Sequence, residues 1–289
     1  MYDVCCVGHI TSDKVVTTEA VRYMPGGTAY YFSCAVSRLD MQYALVTALG
    51  TNEMRYVTGL RDKGIEVRVQ PSAYTVYFEN IYGQDQDQRT QRVSQKADPF
   101  TMEQLQAIDA KVFHLGPLLA DDFSTDLIKT LAAKSRIALD VQGYLRKVVD
   151  EKVYVTDWPD KKNALQYVSI IKADVAELAA LSGYKTVADG VKFLTDCGVQ
   201  EVVITNGSAG SAIYNGGLFY EIPAYRPKMT IDATGCGDTY MAGYLYQRGK
   251  GKGFQEAGEF AAAMAGLKTQ APGAFMGTEE DVLQFLSAC

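Results

Sequence analysis

The sequence predicts an α/β fold of three layers, with helices over both faces of a mostly parallel central sheet and a small β lid. Three observations predict it. Short apolar runs alternate with helical patterns over most of the chain. Residues 65 to 94 break that alternation, with one strand pattern after another and no helix between them. Finally, 289 residues, 47% of them hydrophobic, can bury one large core, and no repeat or low-complexity linker divides the chain. The chain therefore reads as a single domain over 1–289, with ligands expected at the carboxyl ends of the parallel strands.

Taken in order, "YDVCCVG" (2 to 8) is a buried strand ending in glycine. "GGTAYYFSCAVSRL" (26 to 39) is a glycine turn opening a helix, with Ala29, Phe32, Ser33, Val36 and Leu39 on one face. A strand at 43 to 50 precedes a helix at 53 to 64. "IEVRVQ", "YTVYFENIYG" and "RTQRVS", with the polar "GQDQDQ" between the last two, then form the lid, read as an antiparallel patch to which 14 to 24 also contributes. Further strands fall at 111 to 116, 136 to 143, 167 to 173 and 201 to 207. Residues 210 to 224 read as a hairpin turning at Asn215-Gly216, and helices at 237 to 248, 254 to 269 and 279 to 287 close the chain.

Composition excludes several functions. A net charge of −6 argues against nucleic acid or an anionic membrane as partner, though not against a small anionic ligand in a locally positive site. None of the six cysteines forms a C-x-x-C pair, and most sit in apolar runs, so they read as reduced thiols in a cytoplasmic setting. With His9 and His114 the only histidines, a histidine-rich metal site is not expected. No stretch reaches the roughly 18 apolar residues that span a membrane, and the N-terminus lacks the basic start of a signal peptide.

The chemistry concentrates in "DATGCGD" (232 to 238). Gly235, Cys236 and Gly237 can present backbone N–H groups to one anion at a helix N-terminus, where the macrodipole adds to them. Asp238, in the first turn, is either a cap or a base beside a phosphate. Asp13 follows a buried strand, where a carboxylate could hold two hydroxyls or simply cap a turn. Asp174 and Glu177 share a helix face; they could orient waters around Mg²⁺ or form a capping box without metal. Thr205, Gly207 and Gly210 follow a strong strand and could carry a nucleotide phosphate or ribose. "GKGKG" (249 to 253) lies between two helical runs and reads as a connection, and no P-loop string occurs anywhere.

These strings together resemble the PfkB/ribokinase family of small-molecule kinases. "DATGCGDTYMAG" is similar to its C-terminal signature, with Cys236 where alanine is common. "VGHITSD", "PGGTAYYFSCAVSRL", "KADVAEL", "ITNGSAGSAIY" and "APGAF" resemble its other motifs in order along the chain. The resemblance implies a ribokinase-like fold and transfer of the γ-phosphate of ATP to an alcohol, with Asp238 as general base and Gly235, Cys236 and Gly237 as the anion cradle. It further implies Asp13, Gly26 and Gly27 at the substrate, Thr205, Gly207 and Gly210 at the nucleotide, and Mg²⁺ oriented through water by Glu177 and more weakly by Asp174. A monovalent cation, a homodimer joined through the lid and a lid arginine, Arg89, reaching the site belong to the same set of expectations. Tyr31 stands where relatives carry an asparagine, which argues against ribose or fructose, whereas "LDVQGYLR" (139 to 146) resembles a D-x-Q-x-x-x-R stretch of inositol-kinase-like members. A sugar or polyol is thus the expected acceptor. A nucleoside kinase and a non-catalytic sugar- or nucleotide-binding relative are the alternatives.

Overall fold

A computed structural model describes residues 1–16, 21–82 and 89–288. Its strands, in chain order, are β1 (Tyr2–Gly8), β2 (Thr11–Val16), β3 (Val21–Gly26), β4 (Tyr43–Leu49), β5 (Glu66–Pro71), β6 (Val76–Tyr82), β7 (Arg89–Gln95), β8 (Ala110–Gly116), β9 (Arg136–Asp140), β10 (Arg146–Val149), β11 (Lys152–Val155), β12 (Ile170–Asp174), β13 (Glu201–Thr205), β14 (Ser211–Asn215) and β15 (Leu218–Ile222). The helices are α1 (Gly27–Val36), α2 (Met54–Arg61), α3 (Thr125–Ala132), α4 (Lys161–Leu165), α5 (Val175–Ser182), α6 (Val187–Asp196), α7 (Cys236–Gly249), α8 (Phe254–Lys268) and α9 (Glu279–Ala288).

Apolar strands that bury both faces give a parallel sheet. That is the central layer, in the order β15-β14-β13-β12-β9-β8-β1-β4-β5, parallel from β13 through β5 and antiparallel only at β14 and β15. One core lies between one face and α1, α2, α7, α8 and α9; the other lies between the opposite face and α3, α5 and α6. All five residues expected on one helix face are buried, four of them in α1 and Leu39 just beyond its end.

The second sheet, β10-β11-β7-β6-β2-β3, is the lid, and it corrects the expectation in two ways. Residues 66–71 are not in it: β5 pairs parallel with β4 as the edge of the central sheet, because its alternation of Val67 and Val69 suits a half-covered edge as well as a lid. Nor is the lid purely antiparallel, since β2 runs parallel to β6. The β10–β11 hairpin also belongs to it and was not expected; its turn places Asp150 and Glu151 at φ 47° and 65° without the glycine that marks such turns. The other hairpin turns at Gly216-Gly217, one residue beyond Asn215-Gly216, with both glycines at positive φ. The "GQDQDQ" tip and part of 14 to 24 lie outside the described residues.

Only His9 and Ile10 separate β1 from β2, so this joint sets the lid on the core. It is fully buried: His9 Nδ1 lies 3.2 Å from the Ala48 carbonyl, its Nε2 is 3.4 Å from Asp122 Oδ1, and the Ile10 N–H donates to Thr47 Oγ1 at 3.0 Å. His9 is thus structural. His114, likewise buried, stacks on Phe32 in the core.

Candidate active site

Between the lid and the carboxyl ends of β9, β12 and β13 lies a cleft of about 560 Å³. The expected site residues Asp13, Gly27, Asp174, Glu177, Thr205, Gly207, Gly210, Gly235, Cys236, Gly237 and Asp238 all line it, although they are spread over more than two hundred positions of sequence. Gly26 does not. Its Cβ would come within 2.8 Å of Asp13 Cγ, so its role is to make room for that carboxylate on the neighbouring strand.

At the floor, Gly235 is left-handed (φ 78°) and caps α7, and an added Cβ there would strike the ring of Tyr31. The loop is braced from behind by Asp232. Its Oδ1 accepts the Thr234 N–H at 2.9 Å, and its Oδ2 accepts the Gly273 N–H at 3.1 Å and pairs with Lys268 Nζ at 3.0 Å. Burial opposes ionisation of Asp232, but the Thr234 and Lys268 contacts outweigh it and hold its carboxyl below the ordinary range. The first turn of a helix leaves its N–H groups without intrahelical acceptors. Here the Cys236 N–H turns back to the Ala233 carbonyl at 3.2 Å, while among the described residues the N–H groups of Gly235, Gly237 and Asp238, all three lining the cleft, donate to no backbone carbonyl. Of the three donors expected, the Cys236 N–H is thus taken up by the turn that starts the helix, although Cys236 lines the cleft with its neighbours. The Cys236 thiol, pushed up to about 11 by burial, stays protonated and reaches the Ala265 carbonyl at 3.5 Å.

Asp238 occupies that first turn of α7. Its carboxyl is pushed up to about 7, first by loss of solvent and then by the negative charge of Asp140, against the opposing pull of Lys172, a hydrogen bond with Thr28, and Arg146. Lys172, on β12, is buried, with Nζ 3.0 Å from Asp140 Oδ2 and 3.9 Å from Glu177 Oε2. Burial alone would lower its pKa; Asp140, then Glu177 and Asp238, more than offset this and hold it above the ordinary lysine range. Asp174 and Glu177 form the capping box of α5: the Glu177 N–H donates to Asp174 Oδ1 at 2.7 Å and the Asp174 N–H to Glu177 Oε2 at 2.8 Å. Burial raises the Glu177 carboxyl, opposed by Lys172.

Towards the lid, Thr11 Oγ1 donates to Asp13 Oδ1 at 2.6 Å. Asn80 and Gln91 face each other across β6 and β7, and Gln91 Nε2 donates to Asn80 Oδ1 at 2.8 Å. With Asp140, Gln142 and Arg146 they line the cleft. Those last three are the D-x-Q-x-x-x-R string, so the sequence signal for them existed, although it suggested a branch of relatives rather than site positions. Lys172 had a signal too, a lone charge inside the apolar run "SIIKA". Tyr31 was marked only as standing where relatives carry an asparagine, and Thr28, Asn80 and Gln91 carried no signal, because only the folded lid and loop bring them together. The Arg89 side chain lies outside what the structure describes. At the other end, Arg226 Nη2 donates to the Ser208 carbonyl at 2.6 Å, tying the segment after β15 to the turn of Gly207 and Gly210. That turn also packs on β15, where a Cβ on Gly210 would collide with the Ile222 carbonyl.

Among the described residues no three His, Cys, Asp or Glu side chains converge on one point as metal ligands, and no helix is long and apolar enough to cross a membrane. The cleft is nonetheless lined by Asp13, Asp140, Asp174, Glu177 and Asp238 against Lys172, Arg146 and Arg226. A polyanion entering it needs added positive charge, which a hydrated divalent ion held through water by the carboxylates fits.

The profile of the family described as pfkB family carbohydrate kinase matches residues 1–280. A cytidine kinase from Thermococcus kodakarensis is 26% identical over 86% of this chain and 90% of its own length. Among solved structures, a pyrophosphate-dependent kinase in the ribokinase family, in complex with sulfate, superposes with a TM-score of 0.87 at 28% identity, covering 97% of this chain and 99% of that one. A pyrophosphate-dependent kinase of the ribokinase family bound to a pyrophosphate analog and myo-inositol is similar at a TM-score of 0.86 and 27% identity, with the same coverage.

Proposed function

The chain belongs to the pfkB family of carbohydrate kinases, and from that membership we propose that it moves the γ-phosphate of ATP to a hydroxyl of a polyol or sugar, with Asp238 as general base. The observation that carries this reading is a carboxylate poised near neutrality in the first turn of a helix, beside unpaired N–H groups. The acceptor sits between Asp13 and the polar ring of Asn80, Gln91, Gln142 and Arg146. Its hydroxyl proton passes to Asp238 as its oxygen forms a bond to the γ-phosphorus. The bond to the bridging oxygen breaks, the electron pair leaves with the diphosphate, and a phosphate ester and ADP result. The N–H groups of Gly235, Gly237 and Asp238 meet charge developing on the phosphoryl oxygens. Glu177 and Asp174 would hold Mg²⁺ through water, and the ion would supply charge neutralisation on the donor phosphates. Thr205, Gly207 and Gly210 border the nucleotide, and the lid excludes water from the reacting groups.

A ring of hydroxyl-reading groups on several sides favours a polyol over a nucleoside, whose base needs an apolar slot. The relative that is a cytidine kinase keeps the nucleoside alternative open to test. Pyrophosphate is a second donor reading, because similar structures are of pyrophosphate-dependent kinases and Arg226, bonded to the Ser208 carbonyl, puts a cation in the cleft. Free thiols that stay reduced fit a cytoplasmic setting. The edge strand β3, with Val21 and Tyr23 exposed, is where a second copy would pair with the lid, which sedimentation measures.

A coupled assay of ATP and pyrophosphate against sugars, polyols and nucleosides with Mg²⁺ assigns donor and acceptor. Asp238→Asn should keep the fold and ligand binding while turnover falls by about 10²- to 10⁴-fold, the usual share of a general base. Near-normal turnover in that variant would remove Asp238 from the role.

A further inference from the structure

We propose that Lys172 is a fixed cation of the donor-phosphate site, binding an oxygen of the transferring phosphoryl group through the gap that Gly237 leaves by having no side chain. The proposal rests on the kinase reading of this cleft. Lys172 sits in a strand that is otherwise core: Ile170, Ile171 and Ala173 are 1%, 0% and 0% exposed, and Lys172 itself is 6% exposed. An ammonium in such a place loses its hydration, and a strand residue with no use for charge is served better by an apolar side chain. Asp140 Oδ2, at 3.0 Å, compensates the charge, and Glu177 Oε2 stands farther off at 3.9 Å. The remaining side of the ammonium faces the start of α7.

Gly237 explains what that side is for. It lies within α7 at an ordinary helical φ, so its backbone does not demand glycine, and glycine in a helix costs about 1 kcal/mol relative to alanine. The reason is space: a Cβ at 237 would stand 3.0 Å from Lys172 Nζ and 3.3 Å from its Cε. The missing side chain leaves the ammonium open towards the helix N-terminus, where Lys172, Gly237 and Asp238 line the same cleft. An anion seated there meets helix donors and a lysine together. The arrangement also sets an unreleasable positive charge beside Asp238, so that the base and the group it serves are held by one buried network of Asp140, Lys172 and Glu177.

Calorimetric titration of inorganic sulfate and of pyrophosphate into the full chain tests this without any turnover. The Asp140→Asn, Lys172→Met double variant removes the ammonium without leaving its partner charged. It should bind both anions at least tenfold more weakly than the parent at an unfolding midpoint within a few degrees. If that variant does not fold, Gly237→Ala decides, since it keeps every charge and only fills the gap; a loss of at least threefold is expected. Unchanged anion affinity in the folded double variant, or in Gly237→Ala where that variant decides, overturns the proposal, as does a parent chain that binds neither anion. A chain that phosphorylates no acceptor sinks the kinase reading instead, and the anion titrations still report on Lys172.

Discussion

Two glycine pairs stand at the cleft, Gly26-Gly27 at its proposed acceptor end, with Gly26 behind the lining, and Gly235-x-Gly237 at its proposed donor end, and they are built alike. In each, one glycine is left-handed: Gly27 at φ 84° and Gly235 at φ 78°. In each, the other has ordinary backbone but would press a side chain onto a buried charge, Asp13 for Gly26 and Lys172 for Gly237. The difference lies in what gives way. A Cβ at 26 overlaps a carboxylate held between two strands and by Thr11, whereas one at 237 meets the far end of a flexible lysine. On the roles proposed above, acceptor binding is rigidly positioned, and donor binding rests on a group that can move by a few tenths of an ångström.

That contrast predicts a graded series. Gly26→Ala should be the most damaging of the ordinary-backbone pair: Asp13 must leave its place, and kcat/KM for the acceptor should fall by about 10²-fold, the scale expected when a positioning group is misplaced by about 1 Å. Sulfate affinity should stay put, because the donor end is untouched. If Gly26→Ala weakens anion and acceptor alike, the two ends are not independent and the comparison fails. Gly235→Ala should destabilise the fold by about 1–2 kcal/mol from its left-handed backbone alone, with overpacking of Tyr31 adding to it. Tyr31→Ala in the same chain relieves only the second part, so the double variant should regain some stability and not all, measured by denaturant unfolding.

How much of this was legible follows from what each end is made of. The donor end is one contiguous string, 232 to 238, and the spacing of its glycines and carboxylates is readable before folding. The acceptor end is assembled from β2, α1, β6, β7 and the 140 to 146 segment, and its register is set by lid pairing that local pattern does not reveal. The misplaced strand 66–71 shows why: an edge strand of a parallel sheet and a lid strand have the same alternation, and only the pairing with β4 separates them. The β10–β11 hairpin was invisible because its turn uses Asp150 and Glu151 in place of glycine. The capping box of Asp174 and Glu177 was legible as one of two readings; the metal reading depends on the donor, which no side-chain pattern encodes.

A smaller effect separates the two ends by pH. As the proposed base Asp238 must be deprotonated to act, and its carboxyl is pushed up to about 7, so kcat/KM should rise with pH through about 7 and then level. The Asp140 charge contributes to that elevation, so Asp140→Asn should move the rise to lower pH. The same shift makes the folded chain hold a proton that the unfolded chain has released above its ordinary 3.8. This group therefore contributes stability at acid pH that is lost as pH climbs from about 4 to 7. An acid limb that ignores Asp140→Asn would mean that another group titrates in the activity profile.

The smallest expected effect is that of monovalent cations, which the family resemblance left open. On the proposed role of 232 to 238 as an anion loop, positive charge is needed behind it to oppose the Asp232 carboxylate and carbonyl, which would otherwise repel donor phosphates. Lys268 supplies it: its side chain is wholly buried, its Nζ donates to the Asp232 carbonyl at 2.7 Å, and it pairs with Asp232 Oδ2 at 3.0 Å. A charge carried on the chain cannot be diluted away, so turnover in potassium chloride should match that in the salt of a bulky organic cation at equal ionic strength. Lys268→Met should remove the brace, raise the cost of burying Asp232, and weaken sulfate binding as well as stability. Potassium activation of the parent by tenfold or more would show that Lys268 does not supply this charge. A parent indifferent to potassium, with a Lys268→Met variant that becomes responsive to it, would show that the lysine occupies the place an ion would otherwise fill.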